Sequence, residues 1–494
     1  TRDKSISVSS AEAIKTGLSA EGGLFVPESF PSVSLDEIKN LASKSYNERA
    51  YFVLSKFLSD FTEEELKKCI DSAYTKEKFE TESIAPVYKL NDTTYFLELW
   101  HGPTCAFKDM ALQILPHFLT KSLKKTYDGK DAVILVATSG DTGKAALEGF
   151  KDVDHTKIIV FYPVDGVSPM QKHQMNTQEG NNVTVCAIKG NFDDAQTGVK
   201  KIFTTPEISA KLEANNMLFS SANSINWGRL LPQIVYYISA YCDLVNAGKI
   251  AMGDKINVVV PTGNFGNILA SYYASIMGLP INKFICASNS NNVLSDFIKT
   301  GVYDKNRHFY TTISPSMDIL VSSNLERLLY KLSGNNADTT KELMTALKTV
   351  GKYEVSDEIK AEITSKFFGG FCNDEQTKAT IKALFDTDNY LCDTHTAVAV
   401  NVYEQYVEQT GDTTPSVIAS TASPYKFSKA VLEAVSDGTD LPENEFDMVE
   451  KLFEVSNAPV PAPLAALKDK KARFSDVTEV NSMPQYVLDA LNIK

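Results

Sequence analysis

The chain has 494 residues, 43% of them hydrophobic and 22% charged, with a formal net charge of −13. Such a length suggests roughly two to four domains of about 150 residues each and a core large enough to need no staples. The acidic balance, with no run of clustered Lys and Arg, excludes nucleic acid as a partner.

Seven cysteines (69, 105, 186, 242, 286, 372 and 392) are scattered, with no Cys-x-x-Cys and no Cys/His cluster, so neither a disulfide framework nor a metal site is expected. No signal-peptide apolar core opens the sequence and no apolar window is long enough for a membrane span, so the expectation is a soluble, cytoplasmic protein.

Residues 35–79 carry apolar side chains at helical spacing, which predicts a largely helical N-terminal region over 1–90. From about 94 the texture changes to short β-branched runs separated by helical ones: TYFLELW (94–100), AVILVAT (132–138), KIIVFYP (157–163), VTVCAIKG (183–190), INVVVP (256–261), FICASN (284–289) and SVIAST (416–421). Near-continuous apolar strands alternating with helices predict an α/β class with mostly parallel sheets buried on both faces. Residues 300–390 are polar, with helical periodicity and no strong buried strand, and read as a helical insertion. In the tail, three prolines in PVPAP (459–463) predict an extended surface segment.

Three strands end unusually. AVILVAT runs into SGDTG (139–143), INVVVP into TGNFGN (262–267) and SVIAST into ASPYKF (422–427), each as strand, small-residue loop and helix. Ligands of open parallel sheets gather at such carboxyl ends, where the N–H groups of the next helix point outward. Neither glycine loop fits the dinucleotide pattern, and Thr138 stands where a phosphate-binding P-loop needs its first glycine. A small phosphate or carboxylate cradle of backbone N–H groups remains.

In HGPTCAFKDMALQ (101–113), Lys108 stands between Phe107 and Asp109. An apolar setting lowers an amine's pKa by desolvation and turns it into a nucleophile toward an aldehyde. A lysine beside an anion cradle suits an aldehyde cofactor that carries a phosphate, which is pyridoxal phosphate.

HGPTCAFKDMALQ, ATSGDTGKAA, SSANSINWGRLLPQ, PTGNFGN and STASPYKF, with the earlier EGGLFVPESFP (21–31), closely resemble the threonine synthase family in its longer, fungal-like form. The resemblance runs in order from about residue 5 to 435. It implies the fold type II, tryptophan synthase β-like architecture and pyridoxal 5'-phosphate as cofactor. It also implies the conversion of the small molecule O-phospho-L-homoserine and water into L-threonine and phosphate. On that resemblance Lys108 is the Schiff-base lysine, the loop Gly263, Asn264, Phe265, Gly266 and Asn267 holds the cofactor phosphate, and Thr421 contacts the pyridine nitrogen.

The loop Thr138, Ser139, Gly140, Asp141 and Thr142 would clasp the substrate carboxylate, with Asp141 either orienting neighbouring hydroxyls or capping the helix that follows. Candidates for the leaving phosphate are Lys172, Arg229 with Ser224 and Asn226, and Lys426, because guanidinium forks match phosphate oxygens. The implied domains are 1–90; a large unit of 91–125 and 225–494; and a small unit of 126–224. Cys105, where the family often has Leu, reads as a core residue. Ser423 and Tyr425 depart from a TAHPAKF-like ending.

His101 lies in the lysine motif. His117, His155, His173, His308 and His395 form no ligand pair and no triad with a plausible serine, and G-x-S-x-G is absent. Two alternatives stand beside the main reading: another fold type II lyase such as a threonine dehydratase, and a non-catalytic homologue that binds phosphorylated metabolites.

Overall fold

The computed structural model describes residues 1–494 except 127, 128, 139, 166, 437, 439 and 440. The N-terminal region is helical as its periodicity predicts, with helices Leu35–Leu41, Tyr46–Ser55 and Glu63–Ala73. Each begins with a capping box, Ser34/Glu37, Ser45/Glu48 and Thr62/Glu65, which satisfies the first free N–H groups of the helix. Arg49 pins this layer to the long buried helix Pro232–Asn246, donating to Asp243 Oδ1 (2.6 Å) and Ser239 Oγ (2.8 Å).

Two separate sheets follow. The larger runs in the order Val87–Lys89, Thr94–Glu98, Ser416–Ser420, Ile256–Pro261, Ile281–Ser288, Phe367–Phe371, and only its first pairing is antiparallel. The smaller is parallel throughout, in the order Val477–Glu479, Val183–Lys189, Thr156–Pro163, Asp131–Ala137, Met217–Ser220. Ile256–Pro261 and Ser416–Ser420 are buried at every residue, as strands covered by helices on both faces must be.

Three expectations are corrected. Residues 300–390 do carry strands: Phe367–Phe371 extends the large sheet, and Val302–Asp304 pairs with Lys352–Glu354. The chain after 475 does not stay with the large sheet, because Val477–Glu479 adds an edge strand to the small one and helix Met483–Ala490 packs its Met483 and Val487 into that sheet's core. In the proline-rich tail, Ala462–Ala465 forms one helical turn with Pro463 in its first turn, where no intrahelical N–H is required.

Candidate active site

The lysine loop is shaped by Asp109. Its buried carboxylate accepts hydrogen bonds from Thr104 N (2.8 Å) and Thr104 Oγ1 (2.7 Å), and it lies 2.6 Å from where a Cβ on Gly102 would stand, so position 102 admits only glycine. Burial raises the Asp109 carboxyl to about 6, against the pull of the Thr104 hydrogen bonds. The loop then meets the end of strand Ser416–Ser420. Ala106 bridges Ala422, Phe107 N donates to Thr421 O (2.8 Å) and Ser423 N to Cys105 O (3.0 Å). Lys108 is thereby fixed beside Thr421, a buried residue whose hydroxyl has no hydrogen-bond partner among the described residues.

Lys108 begins helix Asp109–Leu112 and sends its ammonium across to the small sheet's unit. Nζ lies 3.7 Å from Asp141 Oδ2, 3.3 Å from Ser316 Oγ and 5.1 Å from the centre of the Phe107 ring. Desolvation lowers its pKa, with Asp141 opposing and Lys426 and Arg229 assisting. The amine is thus biased toward its neutral, nucleophilic form.

Asp141 is the hub. It opens helix Asp141–Phe150 without capping it, since Gly140 holds the cap position with no side chain to accept the first free N–H groups. Its carboxylate takes Lys426 Nζ at 2.7 Å, Gln171 Nε2 at 3.0 Å and Ser316 Oγ at 3.5 Å. Burial opposes ionisation, but the ammonium groups of Lys426 and Lys108 prevail and hold this carboxyl well below the ordinary carboxylate range. Lys426 is 0% exposed and also donates to Thr104 O (2.8 Å), so both these contacts are internal.

On the other side stands the glycine loop. Phe265 adopts φ 63° and launches helix Gly266–Met277 with no side-chain cap, which leaves its N-terminal N–H groups open. A Cβ on Gly263 would sit 2.6 Å from Ser316 O, whereas one on Gly266 would face only the amides of Asn324 and Gln233 at 3.5 and 3.6 Å. Asn264 is exposed, and its carbonyl accepts from Asn324 N and Nδ2. Asn267 Nδ2 is buried without a partner, as is Nε of Arg229. Arg229 is 4% exposed, donates to Ala222 O (2.7 Å) and faces no carboxylate among the described residues; burial lowers its pKa to about 10. Unpaired buried donors, a guanidinium with no facing carboxylate and an open helix N-terminus are features that favour an anion.

Other expected residues are placed differently. Thr138 Oγ1 accepts from Gly140 N (3.0 Å) and Gly143 N (2.9 Å), so it shapes its own loop. Asn226 is spent on Ile14 O, Ser221 O and Gly228 N, and Ser224 meets Ser323 Oγ at 3.3 Å. Thr142 and Lys172 are partly exposed, with no side-chain partner among the described residues, and Ser139 lies outside them. Cys105 is buried in the core at φ 56°, its thiol pushed upward by desolvation. Sequence reading found no histidine–serine constellation, yet His395 sits between Asp393 and Ser316: Nδ1 meets Asp393 Oδ2 at 2.7 Å and Nε2 accepts from Ser316 N at 3.1 Å. The ring holds the serine's backbone and not its hydroxyl, so this is no nucleophilic triad.

Two parallel sheets meeting at a buried lysine, with a glycine loop opposite, place the chain among the fold type II pyridoxal-phosphate-dependent enzymes, and residues 80–421 match the family described as "Pyridoxal-phosphate dependent enzyme". Residues 1–74 match "Threonine synthase N terminus" and residues 396–487 match "Threonine synthase, C-terminal". The threonine synthase of Pseudomonas aeruginosa is 38% identical over 453 residues, covering 91% of this chain and 93% of that protein. A PLP-bound threonine synthase structure from Brucella melitensis superimposes with a TM-score of 0.88 at 36% identity, covering 99% and 98% of the two chains. The chain belongs to the threonine synthase family, and its cofactor is pyridoxal 5'-phosphate. Human threonine synthase-like 1 is 41% identical over 435 residues, 86% of this chain but only 58% of that protein's length. Among the described residues no helix is long and apolar enough to cross a membrane, and no group of side chains is arranged to hold a metal ion.

Proposed function

We infer that the protein is a threonine synthase, converting O-phospho-L-homoserine and water into L-threonine and phosphate. The observation that carries this reading is Arg229, a buried guanidinium with an orphaned Nε and no carboxylate, within electrostatic reach of Lys108. A fold type II lyase acting on an uncharged side chain has no use for such a cation; a phosphate leaving group does.

The residues present fit the cofactor. Lys108 would hold its aldehyde, the Gly263–Asn267 loop its phosphate, and the free hydroxyl of Thr421 its ring nitrogen. When bound there, pyridoxal phosphate supplies an aldehyde for the substrate amine and a conjugated ring that takes up electrons released at Cα. Lys108, displaced by the substrate amine, is left as a desolvated base on a flexible stem. It would take the proton from Cα and then one from Cβ, return a proton to Cγ once phosphate has left, and return one to Cα after water has added at Cβ, the proton of that water leaving with phosphate. Asp141 keeps that amine within the site. Arg229, with Lys172 and Ser224 as the remaining candidates, would bind the leaving phosphate, and the Thr142 hydroxyl would meet the substrate carboxylate.

A second reading, a homologue that binds phosphorylated metabolites without turnover, is favoured by the 41% identity to threonine synthase-like 1. One experiment separates the two. Purified protein is given O-phospho-L-homoserine while phosphate and threonine are followed together, and a borohydride-reduced sample is digested to find the labelled peptide. Equal release of both products with the label on Lys108 supports synthase activity; label on Lys108 without product selects the second reading.

A further inference from the structure

The segment 312–324 crosses the site from the insertion, and no motif pointed to it. It is pinned at one end by Asp318, whose carboxylate takes Thr312 N (2.9 Å), Thr312 Oγ1 (2.7 Å), Asn289 Nδ2 (2.7 Å) and Asn291 Nδ2 (3.0 Å). At the other end Ser322 Oγ donates to Gly263 O (2.7 Å), and Asn324 N to Asn264 O (3.0 Å). Ser316 lies within the turn that Asp318 closes onto Thr312, and its carbonyl is what forbids a Cβ at Gly263. The same residue therefore touches the glycine loop with its backbone and Lys108 with its side chain.

We propose that Ser316 is a further catalytic residue, its hydroxyl receiving the free Lys108 amine, and that the buried Asp393–His395 pair is the device that positions it. The orientation of the hydroxyl follows from its neighbours. Asp141 Oδ2, at 3.5 Å, is acceptor-only and claims the Ser316 proton, which leaves the oxygen lone pairs for Lys108 Nζ at 3.3 Å. Lys108 thus lies between a hydroxyl and a carboxylate, 3.3 and 3.7 Å away, which give its free amine a resting position between proton transfers.

The backbone of Ser316 is fixed with equal care. An N–H donor at Nε2 requires that nitrogen to be unprotonated, and Asp393 at Nδ1 selects the tautomer that makes it so. Asp393 is fully buried, and its second oxygen accepts from Thr396 N (3.1 Å) and the Thr396 hydroxyl; Thr396 Oγ1 in turn receives Thr421 N at 3.4 Å. One buried carboxylate therefore sets both the serine beside Lys108 and the strand end that carries Thr421. The Phe427 ring, 4.9 Å from the imidazole in an edge contact, closes its remaining side.

This inference rests on Lys108 being the cofactor lysine, and the two ideas fail separately. The first readout needs no cofactor. Full-length protein freed of pyridoxal phosphate is reductively methylated with formaldehyde across a pH series, and the mass of the Lys108 peptide gives the midpoint at which that amine becomes reactive. The charged groups facing Lys108, namely Asp141, Lys426 and Arg229, are unchanged in the variants below.

A hydroxyl that accepts from the ammonium stabilises its charged form, so Ser316→Ala should lower the midpoint by about one pH unit, the tenfold change that loss of one hydrogen bond to a charged group gives. His395→Ala should lower it in the same direction, and His395→Gln, whose amide oxygen can accept the Ser316 N–H, should restore it. On loaded enzyme, Ser316→Ala should lower kcat about tenfold with KM little changed. An unmoved midpoint in Ser316→Ala overturns the assignment, and an unmoved midpoint in His395→Ala overturns its positioning by the Asp393–His395 pair. A borohydride label found away from Lys108 overturns the functional reading itself, whatever the midpoints do.

Discussion

Lys426→Met removes the ammonium that lies 2.7 Å from Asp141 while keeping most of its volume. At an effective dielectric constant of about 20, opposite charges at that distance attract by roughly 6 kcal/mol, and the Lys108 pair at 3.7 Å by roughly 4.5 kcal/mol. The lysine's own desolvation offsets much of the first figure, but in the variant it is the stranded carboxylate that decides the outcome: breaking a buried pair from one side costs about 3–5 kcal/mol. Because Lys108 and Gln171 still reach Asp141, the loss should fall near the lower end, about 3 kcal/mol.

Chemical denaturation of wild type, Lys426→Met, Asp141→Asn and the double variant forms the assay, and the double variant should recover most of the loss. Asp141 is held below its ordinary pKa, so its contribution is present above about pH 4 and fades as pH falls through the depressed folded value; the difference between wild type and Lys426→Met should shrink in the same direction. A loss below about 1 kcal/mol at neutral pH, or no recovery in the double variant, would refute the hub.

Gly266→Val should leave the fold intact, because its Cβ meets only two side-chain amides at ordinary contact distance, yet weaken pyridoxal phosphate binding strongly by filling the mouth of helix Gly266–Met277; fluorimetric titration of cofactor checks this, and unchanged affinity would make the loop structural only. Arg229→Leu should separate stability from activity. Removing an uncompensated buried charge should leave the thermal midpoint equal or higher, while kcat/KM on O-phospho-L-homoserine falls about 10- to 150-fold with the cofactor spectrum unchanged. Full activity in that variant would assign the phosphate to another cation.

The fold was legible where its periods are pure. Buried strands such as INVVVP and AVILVAT announce themselves because both faces are covered, and the N-terminal helices carry their caps in sequence. The strands that escaped have weak signals. Phe367–Phe371 is FFGGF, where two glycines dilute the pattern, and a Cβ on Gly369 would stand 3.0 Å from the Ser295 backbone, so packing and not propensity selects it. Val477–Glu479 is three residues long and gains its place from the edge it pairs with. Pairing partners are tertiary facts, and no local window contains them.

The same division runs through the site. Lys108, Asp141, the glycine loop and Thr421 all stand at strand ends or in glycine-rich turns, where backbone geometry and chemistry share a few residues, and such places leave a mark in sequence. Ser316 and Gln171 leave none. Ser316 is 208 residues from the lysine it touches, and Gln171 is 30 from Asp141 on an ordinary helix. A hint existed in DTHT (393–396), where an aspartate caps a helix two residues ahead of a histidine, but an aspartate there is explained by the cap alone. What the cap hides is its second use: the oxygen that accepts His395 N at 2.9 Å also fixes the ring's Nδ1 at 2.7 Å. A helix start thereby becomes a tautomer selector, and only the approach of Ser316 N to the far side of that ring gives the choice of tautomer a consequence at Lys108.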